Sequence, residues 1–521
     1  MASFPLLWHI PLLSLLTGLP LLALLIVLSS KNTAAALRTA TVGAALELAL
    51  SIYLLLVFDP HNTGIQLTER WSFADMSYCV GVDGLNLLFI PLTAVLTLLA
   101  MLYTAIIRPL PDKSLIACLM GYEAVLMGAF TALNLMQFWL WLVAELIPVV
   151  VLTLHRGTGQ MRRSVTALFL QYWGSSLLMV LAGFLFLAFG LVGTDRALSF
   201  DWLTIKTNND YLHDEVLVFI LLFFGFSIRM PLFPFHGWLP LLAEQGSVAS
   251  GLVFIVGLKL GVYAVIRFIL PILPGVAEDW ALFVVVLSLT SILYGTLLAL
   301  MQINIRRLLA FSAINHTGMM MIGAFSFNDS GLAGSLLLAM AYGLATAGML
   351  LAVGLVYSRT GTAFIPRLGG LFDNHSSVAL LFIIAALSTL AIPGTPGFNA
   401  AHLLIEGIIG EYGWLLAITL LLGNVLAAAS LFKAFQQMFI APRQRRCLPA
   451  DTDRPPVFKE RIIAVLVSAI LIGTGFYSTP WLNFIGQDVT AIQQGYPVHS
   501  SKEPLAPKDP PDSNPEQREQ P

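Results

Sequence analysis

The chain has 521 residues, 57% hydrophobic and only 11% charged, and long apolar runs recur from end to end; this is the composition of a polytopic membrane protein. Its 27 basic and 29 acidic side chains nearly cancel, so the overall balance offers nothing to a nucleic acid. The three cysteines, Cys79, Cys118 and Cys447, stand far apart without ligand-like spacing, which argues against zinc, iron–sulfur clusters and a disulfide framework.

In chain order, the first apolar run, around Phe4 to Leu28, lacks a basic leader and a small-residue cleavage site and reads as a retained span. Runs long enough to cross about 30 Å of hydrocarbon centre near residues 16, 46, 95, 122, 144, 178, 225, 258, 290, 317, 344, 390, 425 and 472. That predicts an all-α polytopic protein of about 14 helices. Residues 488–521, rich in proline and charge, are expected to be a disordered polar tail.

Placing the N-terminus outside puts the basic clusters Arg162–Arg163, Arg306–Arg307, Arg359 with Arg367, and Arg443 with Arg445 and Arg446 on the inside. The acidic or polar segments "FDPHNTGIQLTERWSFADMS" and "DWLTIKTNNDYLHDEV" then lie outside. The positive-inside rule therefore predicts both termini on the outer, periplasmic side.

Arg229, Lys259, Arg267 and Lys433 fall within predicted helices, as do Glu47, Glu123, Glu145, Glu406, His236, His316 and His402. An ion at bilayer depth costs at least about 2.5–3.5 kcal/mol, so such residues usually face a bundle interior and mark a pathway. Arg267 and Lys433 lie near helix ends and are expected to snorkel to the interface. Glu47 stays open between a structural helix contact and a functional role. Lys259, mid-helix in "VFIVGLKLGVYAV", lies too deep to snorkel and is the strongest functional candidate.

Two helices are interrupted. "RMPLFPFHGWLP" (Arg229–Pro240) loses backbone donors at Pro231 and Pro234, and "AIPGTPGFNAAHLLIEG" repeats the proline spacing at Pro393 and Pro396. Backbone polar groups freed at membrane depth survive only beside protein or water, and paired interruptions in two halves are the mark of an inverted-repeat transporter. A break flanked by Arg229, His236 and Lys259 suggests a proton relay through hydrated pockets. No nucleophile–base pair, phosphate loop or metal cluster is legible, so no catalytic site and no cofactor are expected on this chain.

The motifs "GVDGLNLLFIPLTAVLTLLAMLY", "PLFPFHGWLP", "GLKLGVYAVIRF", "INIRRLLAFSAINHTGMMMIGAF" and "LAIPGTPGF", in that order between Trp71 and Phe484, resemble subunit M of bacterial respiratory complex I. They are similar as well to its relatives, the antiporter-like subunits shared with Mrp-type sodium/proton antiporters and membrane-bound hydrogenases. The resemblance implies two inverted five-helix repeats, at 111–275 (spans four to eight) and 276–441 (spans nine to thirteen), with helices 7 and 12 discontinuous. Residues 1–110 would hold spans one to three, and 442–487 a loop and the last span. It also implies a hydrated axis of lysines, glutamates and histidines across the membrane middle.

By this resemblance Lys259 is the central relay base, His316 a second station, and Glu123 and Glu145 the acids that bias the lysine. Departures accompany it. Arg229 stands where the family has lysine, and guanidinium keeps its proton, so Arg229 is a fixed charge. Glu145 sits two residues past the family glutamate, where Val143 is found, and faces away unless a local bulge turns it back. Ala400 and Ala401 replace a glycine–glutamate pair, with His402 and Glu406 nearby as substitutes, and Tyr342 replaces a histidine.

The implied function is a proton-translocating subunit of a complex I-type NADH:quinone oxidoreductase in a bacterial inner membrane, packed among other membrane subunits and lipid. Alternatives are a Mrp-like cation/proton antiporter or proton-coupled inorganic-carbon uptake subunit, and a non-conducting spacer.

Overall fold

The structure, a computed structural model, describes residues 11–62, 64–73, 76–107, 112–157, 159–190, 198–208, 214–442 and 458–496. The arginines at 443, 445 and 446, Cys447 and the chain beyond residue 496 lie outside the described residues. The apolar runs become helices: α1 (Leu12–Ser29), α2 (Thr33–Val57), α3 (Phe89–Ile106), α4 (Lys113–Thr131), α5 (Leu135–Ala144), α6 (Leu146–Arg156), α7 (Arg162–Gly190), α8 (Trp202–Lys206), α9 (Glu215–Arg229) and α10 (Trp238–Gln245). The second half adds α11 (Val248–Ala264), α12 (Pro274–Asp279), α13 (Ala281–Met301), α14 (Ile305–Ala324), α15 (Asp329–Thr360), α16 (Ser376–Thr389), α17 (Pro396–Tyr412), α18 (Trp414–Phe435), α19 (Phe458–Phe476) and α20 (Thr479–Gln493).

Every expected span centre falls in one of these helices or, near residue 390, in the gap between α16 and α17. Among the described residues ten spans, with α5 and α6 counted as one, are long and apolar enough to cross a bilayer, and α19 with α20, bent by 59°, makes an eleventh. The split pairs α9–α10 and α16–α17 and the more polar α14 supply the rest, an arrangement compatible with fourteen crossings.

Spans four to eight run α4, α5–α6, α7, α9–α10, α11; spans nine to thirteen run α13, α14, α15, α16–α17, α18. In each set the third helix is long (29 and 32 residues), the fourth is split, and the fifth ends in a π-helical turn, Val265–Ile269 or Gln436–Ile440. Five is odd, so the second set enters the bilayer from the opposite side. The protein is therefore built on two inverted repeats.

Three features depart from the sequence expectation. The outer loop after α2 folds into an antiparallel hairpin, β1 (Gln66–Phe73) with β2 (Met76–Val82), so the chain is not purely helical. Helical structure runs on to Gln493, past the expected start of the tail, because Asp488 is buried and accepts hydrogen bonds from the Gly84 N–H (2.6 Å) and the Gly64 N–H (3.3 Å).

Arg267 does not snorkel. It is 1% exposed, ion-paired with Asp83 and stacked 4.1 Å over the Trp202 ring. The π-helical turn carries it into the interior, where carboxylate and indole together satisfy a planar cation. Lys433 behaves as expected: it is exposed, and its ammonium reaches the Leu300 carbonyl (3.3 Å) in the last turn of α13.

Candidate functional site

The first break forms where the sequence removes donors. α9 stops at Arg229 because Pro231 brings no N–H and the residue before a proline avoids helical angles. The freed groups are taken up locally: Trp238 donates its indole N–H to the Ile228 carbonyl (2.9 Å), and the Phe233 N–H reaches the Ser291 hydroxyl (2.9 Å). Such repair is what permits irregular backbone at membrane depth. His236 lies in this break, 7% exposed, its ring 4.9 Å from that of Tyr294 on α13.

Arg229, at the last residue of α9, is 1% exposed and ion-paired with Glu145. Its guanidinium also stacks 4.1 Å over Trp173 of α7, and Glu145 accepts a further hydrogen bond from the Tyr122 hydroxyl at 2.6 Å. Glu145 meets this partner at a one-residue interruption of the fifth span. Pro148 denies the Ala144 carbonyl its donor, α5 ends at Ala144, and α6 restarts at Leu146. The glutamate at this interruption is fully buried. No π-helical turn is present in this span; the proline three residues on marks the interruption.

α11 joins two polar clusters across the bundle. On one face a Cβ at Gly257 would collide with the Tyr122 hydroxyl and the Glu145 carboxylate, so only glycine lets α11 close against the ion pair. Two residues on, about 200° round the helix, Lys259 points the opposite way. It is 2% exposed, its ammonium 3.8 Å from the Met320 sulfur and 4.9 Å from the Tyr342 ring centre. Among the described residues no carboxylate lies within ion-pair distance of Lys259.

His316 of α14 continues the line. Its ring stacks on Tyr342 of α15 at 3.8 Å, its Nδ1 lies 2.8 Å from the Ser312 carbonyl, and the Thr389 carbonyl, at the end of α16, also faces it. Ser312 and Thr346 stand beside the Tyr342 hydroxyl. Buried polar groups thus run from the first break, through α11, to the edge of the second.

The remaining candidates are placed elsewhere. Glu123 does not approach Lys259: it follows Tyr122 by one residue, about 100° round α4, and meets Glu47 of α2. Glu145 serves Arg229 rather than Lys259. His402 and Glu406 are both exposed on the flank of α17, while Ala400 and Ala401 fill the buried face. Tyr122, Trp173 and Met320 were not legible as partners; each is an ordinary membrane-helix residue until packing supplies a charge beside it.

Two cavities border these clusters. An apolar one of about 90 Å³ reaches from Gly246, Ser247 and Arg306 to Tyr122. The other, about 190 Å³, lies by the second break and is lined by Met319, Leu390, His402 and Asn424.

Comparison with known proteins gives one answer. Residues 132–427 match the family described as "NADH:quinone oxidoreductase/Mrp antiporter, TM". NADH-quinone oxidoreductase subunit M of Rickettsia bellii is 31% identical over 447 residues, covering 83% of this chain and 88% of its own length. Subunit M of Rhodobacter capsulatus is 30% identical over 504 residues, covering 93% and 97%. A chain of respiratory complex I from Thermus thermophilus superposes with a TM-score of 0.83 at 26% identity, covering 93% of this chain and 100% of that one. A chain of the Mrp complex from a Dietzia species shares the fold, with a TM-score of 0.80 at 18% identity over 92% of this chain and 98% of that one. On a family match that covers more than half of its length and relatives 30–31% identical over most of it, this multi-pass membrane chain belongs to the NADH:quinone oxidoreductase/Mrp antiporter transmembrane family.

Proposed function

We propose that the chain translocates protons as a membrane subunit of a complex I-type NADH:quinone oxidoreductase in a bacterial inner membrane, with both termini on the periplasmic side and other membrane subunits against its flanks. The observation that carries this reading is Lys259: a buried amine whose ammonium, among the described residues, meets a sulfur and a ring face and no carboxylate. A charge so lightly compensated at bilayer depth is one that can be gained and lost.

Arg229 cannot exchange its proton and acts as a fixed positive charge held by Glu145. The apolar cavity from Arg306 to Tyr122 supports access from the inner face, since Arg306 belongs to the basic clusters that mark that side. His316 and Tyr342 extend the path toward the second break.

In proteoliposomes of the assembled complex, Lys259→Ala is expected to lower proton translocation about a hundredfold or more, the usual effect of removing a proton-transfer group, with assembly intact. Unchanged translocation overturns the assignment. α17 favours a second reading, a subunit that fills the array without conducting, because its buried face carries Ala400 and Ala401 where a titratable group would be needed. Under that reading Lys259→Ala changes nothing.

A further inference from the structure

Apart from the line through α11, α2 and α4 bring two carboxyls together. Glu47 and Glu123 are each 0% exposed, and none of their four carboxylate oxygens has a hydrogen-bond partner. The charge that acts on Glu47 is Glu123. A third polar group faces them from α3: Thr93 and Thr104 donate to the carbonyls four residues back, at 2.7 Å each, but Thr97 does not. The Thr97 hydroxyl, on the Glu123 side, is instead fully buried with no hydrogen-bond partner of its own, like the four carboxylate oxygens.

Among the described side chains, no cation on the surrounding elements is placed to neutralise the pair. α1 and α5 carry no ionisable residue, and α3 offers only Tyr103. On α2, Arg38 lies nine residues before Glu47, about 13 Å along the axis, and Tyr53 lies beyond it. On α4, Lys113 is held by the Ser30 carbonyl, Cys118 lies toward the same end, and Tyr122 is committed to Glu145. His155 and Arg156 are the last two residues of α6, at its far end; Lys259 of α11 faces Met320 and Tyr342, Tyr263 of α11 donates to the Phe130 carbonyl (3.1 Å), and Tyr78 and Cys79 of β2 lie beyond the opposite end of α4.

Two carboxylates enclosed together in low dielectric without a cation cannot both be ionised. We infer that Glu47 and Glu123 form a proton-binding site: the two carboxyls hold one proton between them as O–H···O⁻, and the Thr97 hydroxyl donates to the remaining negative oxygen. A proton needs no space of its own, and neither described cavity is lined by either glutamate. The site depends neither on Lys259 nor on whether the chain conducts.

Dicyclohexylcarbodiimide, which adds across its N=C=N bond to protonated carboxyls in apolar surroundings, reads the site in the purified complex when peptides are followed by mass spectrometry. Labelling is expected to stop at one glutamate of the pair per chain and to fall as pH rises. Glu47→Gln removes the repelling charge and supplies a donor, so the fall at Glu123 moves to lower pH by about one unit or more. Thr97→Val removes the donor that stabilises the anion, and the fall moves to higher pH. Thr97→Val carries the test alone if Glu47→Gln does not assemble. Labelling curves that coincide with the unsubstituted protein, two labels per chain, or labelling constant from about pH 5 to about pH 10 overturn the proposal. Protection by sodium but not potassium at fixed pH also overturns it, by showing a cation site instead.

Discussion

The two split helices repeat one backbone device with opposite electrostatics. At the first break the chain breaks off at Arg229, and a glutamate, a tyrosine and a tryptophan from three other helices gather round the charge. At the second, Thr395 and Pro396 restart α17 and the Asn424 amide reaches the Leu390 carbonyl (3.4 Å), but the buried positions are alanines and the ionisable side chains point outward. Proline spacing therefore fixes where backbone polarity is released in the membrane. What that polarity is used for depends on the side chains packed against it.

This contrast can be broken experimentally. The largest effect is expected from Glu145→Ala, which leaves Arg229 buried without its carboxylate and should cost about 3–5 kcal/mol, read as a lowered thermal unfolding midpoint of the solubilised complex. Glu145→Met with Arg229→Met should regain most of that stability; failure to do so means that the pair itself, and not an orphaned charge, holds the first break. Gly257→Ala pushes a methyl between α11 and the Tyr122–Glu145 hydrogen bond, and about 1–3 kcal/mol of destabilisation is expected in the same assay.

Arg229→Lys keeps the ion pair but loses planar stacking on Trp173, so a loss of about 1–2 kcal/mol should accompany retained translocation. Complete loss of translocation would show that the guanidinium is needed for more than its charge. The smallest effects belong to the second break: His402→Ala and Glu406→Ala, on an exposed flank, should each shift the stability of the solubilised chain by less than about 0.5 kcal/mol. A larger shift would mean that α17 has a charge partner within this chain after all.

The sequence carried the architecture further than the site. Apolar runs located the spans because crossing hydrocarbon demands length and hydrophobicity along one segment, and both are local properties. The paired prolines located the breaks for the same reason. Glu145 shows where local reading stops. Its register pointed it away from the axis, yet packing places Tyr122 and Arg229 against it, beside the interruption that Pro148, already visible in the sequence, marks. Arg267 shows a different limit: its position near a helix end favoured snorkelling, but Asp83 and Trp202, 184 and 65 residues away in the chain, claimed it.

What the sequence determined by itself was the membrane class, the repeat pattern and the presence of buried charge, each set by residues close together in the chain. Only the tertiary structure decided which charges meet. Arg229 took Glu145, Lys259 took a sulfur and a ring in place of an acid, and Glu123 turned to Glu47. The physical reason is that electrostatic partnership depends on distance and dielectric in three dimensions, and a difference of one or two residues along a helix sends a side chain to a different neighbour.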